Sequence, residues 1–187
     1  GGGGGGGGGG LGGGGGGREG GGGAEWGGGG GAFRVAVREL TGPDAVIYAV
    51  DRDGAALRRL KKDYIARFGS PLRGAQGGAD NLILLPNDFS RPLDLPPLDG
   101  IVMANSLHYF REKEGILRHV RGFLKPNGVL LLVEYNVDEG NLWVPYPLSF
   151  ETFRALAPQA GFGEPRLLAK APSSFLNEFY SAAAHRE

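Results

Sequence analysis

The amino-acid sequence predicts an α/β protein with a doubly wound, mostly parallel sheet. Short segments such as residues 45–50 and 129–133 are apolar along their whole length, which is typical of strands buried on both faces. Amphipathic segments with apolar side chains at helical spacing lie between such strands. Strands and helices therefore alternate along the chain, as crossover connections in a parallel sheet require.

The alternation begins directly after the glycine-rich start of the chain. Residues 32–40 are predicted to form a helix, because apolar side chains recur at helical spacing before a run of turn residues. Residues 45–50 follow as a buried strand, and residues 51–54 supply an N-cap for the amphipathic helix at 55–68. A polar loop then leads to a second short strand at 81–85.

The rest of the chain continues this pattern and then departs from it. The Lys-Pro-Asn-Gly segment at 125–128 is expected to stop a helix. The last two strands are joined by a short Pro-Ser link and are better interpreted as an antiparallel pair than as another crossover unit. The remaining predicted elements are a strand at 100–104, a helix at 112–124, a strand at 129–133, a helix at 150–160 and strands at 166–170 and 178–183.

The first 31 residues differ in composition from everything that follows. They hold 25 of the 38 glycines of the chain, without the period or the proline content of collagen. Poly-glycine loses the most entropy on ordering and buries no side chain, so a literal interpretation is a flexible tail. We divide the chain into a glycine-rich segment at 1–23 and a folded domain at 24–187, whose first strand would fall at the start of that domain.

We hypothesise that many of these glycines stand in for residues whose side chains have not been identified. An ordered glycine tract of this length is physically improbable, because nothing it buries would offset the entropy lost. Mass spectrometry of the intact protein tests the hypothesis, and we expect a mass above that of the printed sequence. A mass equal to 19.5 kDa would contradict it.

Composition and charge narrow the classes of partner and site. The 20 basic and 20 acidic residues balance, so no field is expected that would attract nucleic acid or an anionic membrane. The absence of cysteine excludes a disulfide scaffold, a thiolate metal site and a cysteine nucleophile. The three histidines show no metal-ligand spacing, which predicts no metal site. Since no apolar run is long enough to span a membrane or to form a signal peptide, we expect a cytoplasmic protein.

Polar residues follow the predicted strands at their carboxyl ends. In an open parallel sheet the ligand lies outside these ends, where the strand order reverses. Each such residue is therefore a candidate for the binding site. The residues concerned are Asp51 after one strand, Asp88 and Phe89 after the next, Asn105, His108 and Tyr109 after the third, and Glu134 and Tyr135 after the fourth.

A glycine-rich turn precedes the predicted helix at 32–40. The pattern acidic-x-Gly-x-Gly-x-Gly fits Glu25, Gly27, Gly29 and Gly31, and such a turn lets backbone N–H groups approach a ligand closely. Any glycine motif matches within poly-glycine, so Glu25 and the following helix carry the information. Asp51 lies 20 positions after Gly31, the spacing at which a carboxylate reaches ribose hydroxyls in a nucleoside-binding βαβ unit.

Taken together, these segments resemble the successive motifs of class I S-adenosylmethionine-dependent methyltransferases of the small-molecule type. The segments are AVIYAVD at 45–51, NDF at 87–89, ANSLHYF at 104–110 and LKPNGVL at 124–130, the last being the most specific. The resemblance covers about residues 24–184 and implies a seven-stranded Rossmann-like sheet with a C-terminal antiparallel strand pair. Residues 20–24 depart from the family pattern, because they replace the apolar run expected in the first strand.

The resemblance implies S-adenosylmethionine as cofactor. A diol calls for a carboxylate acceptor, an exocyclic amine calls for an acceptor, and a flat base calls for apolar faces. Carried over position by position, the family pattern puts the glycine-rich turn against the methionine part of the cofactor, with Gly27, Gly29, Gly31 and Glu25 in that loop. Asp51 would bind the ribose hydroxyls, and Asn105 would lie at the methyl-donor end. The adenine would meet Arg52 at its side, Asp88 at its amino group and Phe89 against the base.

The resemblance also implies a small-molecule acceptor. Methyl transfer from a sulfonium is an in-line displacement that depends mainly on alignment and exclusion of water. If the acceptor is a hydroxyl or an acidic carbon, His108 or Glu134 could take its proton. The candidates for an apolar acceptor wall are Tyr109, Tyr135, Trp143 and Tyr146.

Each of these residues also has a structural interpretation. Asp51 could be the N-cap of the following helix, a role that Asp53 could share, and Asp88 could be a turn residue. His108 could be hydrogen-bonded structure, and Glu134 could simply end a strand. The aromatic residues after Glu134 could plug the end of the core.

Two other functions remain open at this point. A nicotinamide-dependent oxidoreductase shares the glycine-rich turn and the ribose acid, but the terminal antiparallel pair and the absence of a Tyr-x-x-x-Lys pair argue against it. A methyltransferase-like binding module that has lost catalysis is the second alternative. An edge strand in the terminal pair could support a homodimer.

Overall fold

The computed structural model describes residues 45–68 and 82–187. The predicted first strand, the glycine turn with Glu25, Gly27, Gly29 and Gly31, and the predicted helix at 32–40 lie outside these residues. The described elements, in chain order, are β1 (Ile47–Asp51), α1 (Gly54–Phe68), β2 (Leu82–Pro86), β3 (Leu98–Ala104), a 3-10 turn (Leu107–Tyr109), α2 (Lys113–Arg121), β4 (Leu124–Tyr135), α3 (Phe150–Leu156), a second 3-10 turn (Pro158–Ala160), β5 (Arg166–Pro172) and β6 (Glu178–His185).

The described strands form two sheets. β1 pairs parallel with β2, and a second sheet has the order β3-β4-β6-β5. β3 and β4 are parallel, whereas β6 runs antiparallel to both β4 and β5. The predicted α/β class and the closing antiparallel pair are therefore confirmed.

One boundary prediction was wrong in an informative way. The segment at 125–128 was expected to stop a helix, but α2 already ends at Arg121 and this segment belongs to β4. Asn127 adopts a left-handed backbone with φ of 61°, which an asparagine tolerates. The pairing register shifts here, from Leu98 opposite Leu124 to Gly100 opposite Val129. The Pro-Asn-Gly segment therefore makes an irregularity inside the strand instead of ending the helix.

The predicted helix at 150–160 is divided in two. α3 ends at Leu156, and Pro158 opens a separate 3-10 turn. Proline has no N–H to donate and its ring clashes with the preceding turn, so the α-helix cannot continue through it. Gly161 then reverses the chain at φ of 84°, a left-handed conformation that glycine adopts without strain.

Two hydrophobic cores support the strands. The larger core packs α2 and α3 against the four-stranded sheet, and the smaller one packs α1 against β1 and β2. Phe89, directly after β2, packs on the larger core and meets the Phe110 ring edge-on at 5.5 Å between centroids. The carboxyl end of β2 therefore lies near the segment that follows β3. Within the described residues, no helix has the length and apolar character needed to cross a membrane.

Candidate functional site

A buried histidine and glutamate form the centre of the candidate site. Glu134 lies near the carboxyl end of β4, and His108 lies in the 3-10 turn that follows the neighbouring strand β3. Because β3 and β4 run parallel, their carboxyl ends meet at one edge of the sheet. His108 Nδ1 lies 2.8 Å from Glu134 Oε2, and both side chains are almost completely buried.

The Glu134 carboxylate is held on both oxygens. Oε1 accepts the backbone N–H of Leu107 at 2.9 Å and that of His108 at 3.2 Å. Oε2 then faces His108 Nδ1. A carboxylate oxygen accepts hydrogen bonds, so the imidazole tautomer with its proton on Nδ1 fits this contact.

Asn105 is a buried polar group without a partner in the described part of the chain. It follows β3 with a left-handed φ of 48°, and its backbone N–H donates to Val133 O at 2.9 Å. Its side chain is buried, yet neither the amide oxygen nor the amide nitrogen bonds to any described residue. Buried amides are normally hydrogen-bonded. Within the described residues, Asn105 is thus an unpaired amide at a strand end, in a left-handed conformation that few non-glycine residues adopt.

Asp51 ends β1 and is separate from the helix cap. Asp53 Oδ1 accepts the N–H of Ala55 at 2.7 Å, so Asp53 caps α1. Asp51 Oδ1 instead accepts the N–H of Asp53 at 2.8 Å and braces the turn. The predicted N-cap within 51–54 is therefore confirmed as Asp53. Asp51 itself lies at the strand end that the sequence assigns to ribose recognition.

Asp88 stabilises the turn after β2, which is the structural role that the sequence also allowed for it. Its Oδ1 accepts the backbone N–H of Ser90 at 2.9 Å and the hydroxyl of Ser90 at 2.6 Å. Its Oδ2 lies 3.8 Å from Arg52 and 3.8 Å from Arg91. The hydroxyl and backbone bonds from Ser90, followed by the two arginines, hold the pKa of Asp88 below its ordinary value despite some burial. Arg52 and Asp88, which were predicted separately as cofactor residues, thus lie 3.8 Å apart across the ends of β1 and β2.

Three of the four predicted acceptor-wall residues lie close to His108. The Tyr109 ring is 4.3 Å and the Tyr135 ring 6.1 Å from the His108 ring, measured between centroids. Tyr146 donates its backbone N–H to His108 O at 3.0 Å. Trp143 differs, because it is 72% exposed and makes no ring contact with the other three within the described residues.

Three further residues lie near this wall, although the sequence did not single them out. They are Phe175, Phe179 and Lys113. Phe179 stacks on the Tyr135 ring at 4.3 Å, and the half-exposed Phe175 ring lies 6.1 Å from Tyr135. Both phenylalanines come from the β5–β6 hairpin, more than 60 residues after His108. No local pattern joins them to the site. Antiparallel pairing of β6 with β4, which sets Phe179 opposite Tyr135, is what brings Phe179 there.

Hydrogen bonds fix the segment that leads from β4 to α3, residues 136–149. Asp138 accepts the N–H and hydroxyl of Ser149 at 2.9 and 2.8 Å and the hydroxyl of Thr152 at 3.0 Å. Burial raises the pKa of Asp138, but these three bonds outweigh it and the net direction is downward. Asn136 accepts the N–H of Phe150 at 2.9 Å. The 136–149 loop is therefore closed at its base by these hydrogen bonds.

The fold and the site together define an α/β domain with a buried His–Glu pair at the carboxyl edge of its sheet. A family model described as a methyltransferase domain matches residues 24–130. The chain is also 31% identical over 151 residues to acetylserotonin O-methyltransferase of Mus musculus, a match that covers 72% of this chain and 37% of that protein. The chain thus spans little more than a third of the curated relatives it matches.

Solved methyltransferase structures share the fold. The N-methyltransferase NodS of Bradyrhizobium japonicum, in complex with S-adenosyl-L-homocysteine, is similar with a TM-score of 0.61 and 13% identity, over 83% of this chain and 72% of that one. Human N-acetylserotonin methyltransferase, in complex with S-adenosylmethionine, is similar with a TM-score of 0.53 and 16% identity, over 84% and 51%. The chain belongs to the methyltransferase domain family, and the predicted resemblance is confirmed.

Proposed function

We propose that this chain transfers a methyl group from S-adenosylmethionine to a hydroxyl of a small molecule, with His108 as the general base. The observation that carries this proposal is the buried His108–Glu134 pair, in which both carboxylate oxygens are occupied by donors. Such an arrangement leaves Nε2 as the proton acceptor of the ring. A hydroxyl acceptor must lose a proton during transfer, and a positioned base speeds such a step by about 10²- to 10⁴-fold.

The residues of the described part fit the cofactor. The unpaired amide of Asn105 offers both a donor and an acceptor at the carboxyl edge, and Asp51 offers a carboxylate to a diol. When bound, S-adenosylmethionine supplies an electrophilic methyl group on a sulfonium. Arg52 and Phe89 would flank the adenine. Asp88, already bound by Ser90, would need to share its carboxylate to accept from the adenine amino group.

Within this chain, the proposed reaction needs only alignment and one proton transfer. His108 Nε2 takes the acceptor proton, and the Glu134 carboxylate stabilises the resulting imidazolium through Nδ1. Tyr109, Tyr135 and Tyr146 would bound the acceptor and exclude water. The curated relative is named for acetylserotonin, so N-acetylserotonin is the first acceptor to test. Transfer of labelled methyl groups from S-adenosylmethionine to N-acetylserotonin and to simpler phenols would support the proposal, and a lack of transfer to all of them would oppose it.

Asp51→Ala should weaken binding of S-adenosylhomocysteine by about 1 to 3 kcal/mol, the value of a lost hydrogen bond to a charged group. Calorimetric titration of the variant measures the change. Asp63→Ala, which removes an exposed carboxylate on α1, is the matched control and should bind as the parent does. Unchanged affinity in Asp51→Ala would remove this residue from the site.

The proposal also includes the complete sheet, the domain boundary, the location and the oligomeric state. The seven-stranded, doubly wound sheet of the 24–187 domain, with the 1–23 segment outside that domain, remains part of the proposal. The matched family region also begins at residue 24. A cytoplasmic location and a homodimer stay predictions. A non-catalytic binding module is the second candidate, favoured by the runs of glycine where the cofactor turn is expected.

A further inference from the structure

Lys113 is a buried cation in a position that helix formation does not explain. It is the first residue of α2, where the helix dipole disfavours positive charge, and it is only 9% exposed. Lysine is almost never so buried unless it is paired. Among the described residues no carboxylate lies within salt-bridge distance of its ammonium. A buried cation at the start of a helix is unfavourable, so we expect it to stabilise the site or the structure around it.

In the described part of the chain the Lys113 ammonium makes two contacts, and both lie beside the His108 turn. Nζ donates to the carbonyl oxygen of Phe110 at 3.0 Å. Phe110 is the first residue after the 3-10 turn that carries His108. Nζ also lies 5.8 Å from the centroid of the Tyr146 ring, within the range of a cation–π interaction. Tyr146 in turn donates its N–H to His108 O. Lys113 therefore contacts both segments that meet at the backbone of His108.

The net effect of its surroundings lowers the pKa of Lys113, with burial as the main cause. The carboxylates of Glu134, Asp138 and Glu112 act against this lowering of the pKa. Glu134 belongs to the buried pair, and Asp138 closes the base of the 136–149 loop.

We propose that Lys113 is a positioning residue that holds the Tyr146 segment of the 136–149 loop against the backbone of His108. Its role in placing the acceptor rests on the proposed function, because Tyr146 is one of the proposed acceptor-wall residues. The contact itself does not depend on that function. Lys113 takes no part in bond making.

Amide hydrogen exchange of Tyr146 tests this inference directly. In Lys113→Met, which keeps the apolar stem, the Tyr146 amide should exchange about tenfold faster, as expected for the combined loss of a cation–π contact and a charge-assisted hydrogen bond. Lys113→Arg should restore slow exchange, since the guanidinium keeps both interactions. The amide of Asn136, which bonds to Glu178 O in the adjoining ladder, should be unchanged in both variants.

A double-mutant cycle separates the contact from a general loss of packing. Tyr146→Leu should also speed exchange at position 146, after correction for intrinsic rates, and the double variant with Lys113→Met should be no faster than the faster single variant. Additive effects, or failure of Lys113→Arg to rescue, would overturn the proposal. The readout is independent of methyl transfer, so an absence of activity in the parent protein would oppose the proposed function and leave this result standing.

Discussion

Glu134→Gln should lower the rate of methyl transfer by about 10²- to 10⁴-fold. The two backbone N–H groups of Leu107 and His108 would hold the carbonyl oxygen of the new amide. Its NH₂ group would then face His108 Nδ1 and donate to it. The imidazole would be forced into the tautomer with the proton on Nε2, and the base would be lost. Steady-state turnover at saturating S-adenosylmethionine measures the effect.

Two controls separate this tautomer effect from damage to the fold. Affinity for S-adenosylhomocysteine should be unchanged in Glu134→Gln, because the amide keeps the volume and the two backbone bonds. Glu139→Gln alters an exposed carboxylate on the following loop and should retain parental turnover. A Glu134→Gln variant that keeps more than half of the parental rate would exclude His108 as the base held by Glu134.

Phe153→Ala should reduce the free energy of unfolding by about 3 to 5 kcal/mol. Phe153 is fully buried on α3 and belongs to the larger core, where it holds the helix against the four-stranded sheet. Ser149 caps the N-terminus of the same helix, and Asp138 accepts hydrogen bonds from Ser149. Because a domain of this size has a net stability of about 5 to 15 kcal/mol, this loss is a large share of it.

Urea unfolding of the Phe153→Ala variant measures the change. Glu151→Ala, on the exposed face of the same helix, is the control and should stay within about 0.5 kcal/mol of the parent. A loss below 1 kcal/mol in Phe153→Ala would mean that α3 is not fixed by this core. In that case the base of the 136–149 loop would need another support.

The central pair of the site could be predicted from the sequence because strand ends are a strong signal. Short apolar strands in a parallel sheet bring their carboxyl ends to one edge, so the residues after β3 and β4 must be neighbours. His108 follows β3 and Glu134 lies near the carboxyl end of β4 at the same edge, and His108 Nδ1 is 2.8 Å from Glu134 Oε2. The positions of Tyr109 and Tyr135 could be predicted for the same reason. The position of Trp143 could not be predicted, because it lies in a loop whose path depends on hydrogen bonds made by Asn136 and Asp138.

Other features carried no local signal. Lys113 reads as an ordinary solvated residue at the start of an amphipathic helix, and only its tertiary contacts with Phe110 and Tyr146 distinguish it. Phe179 reaches the Tyr135 ring because of the register in which β6 pairs with β4. The two strands are far apart in sequence, so the sequence does not indicate this register. The Pro-Asn-Gly segment after Leu124 has the composition of a helix stop. Left-handed Asn127 allows it to remain within a strand instead.

Calorimetric titration with S-adenosylhomocysteine, and separately with NADH, tests the central claim most directly. Both ligands present an adenosine ribose to the carboxyl edge, so Asp51 alone would not separate them. We expect about micromolar binding of S-adenosylhomocysteine and no measurable binding of NADH. Binding of NADH, or of neither ligand, would contradict a methyl-transferring site in this chain.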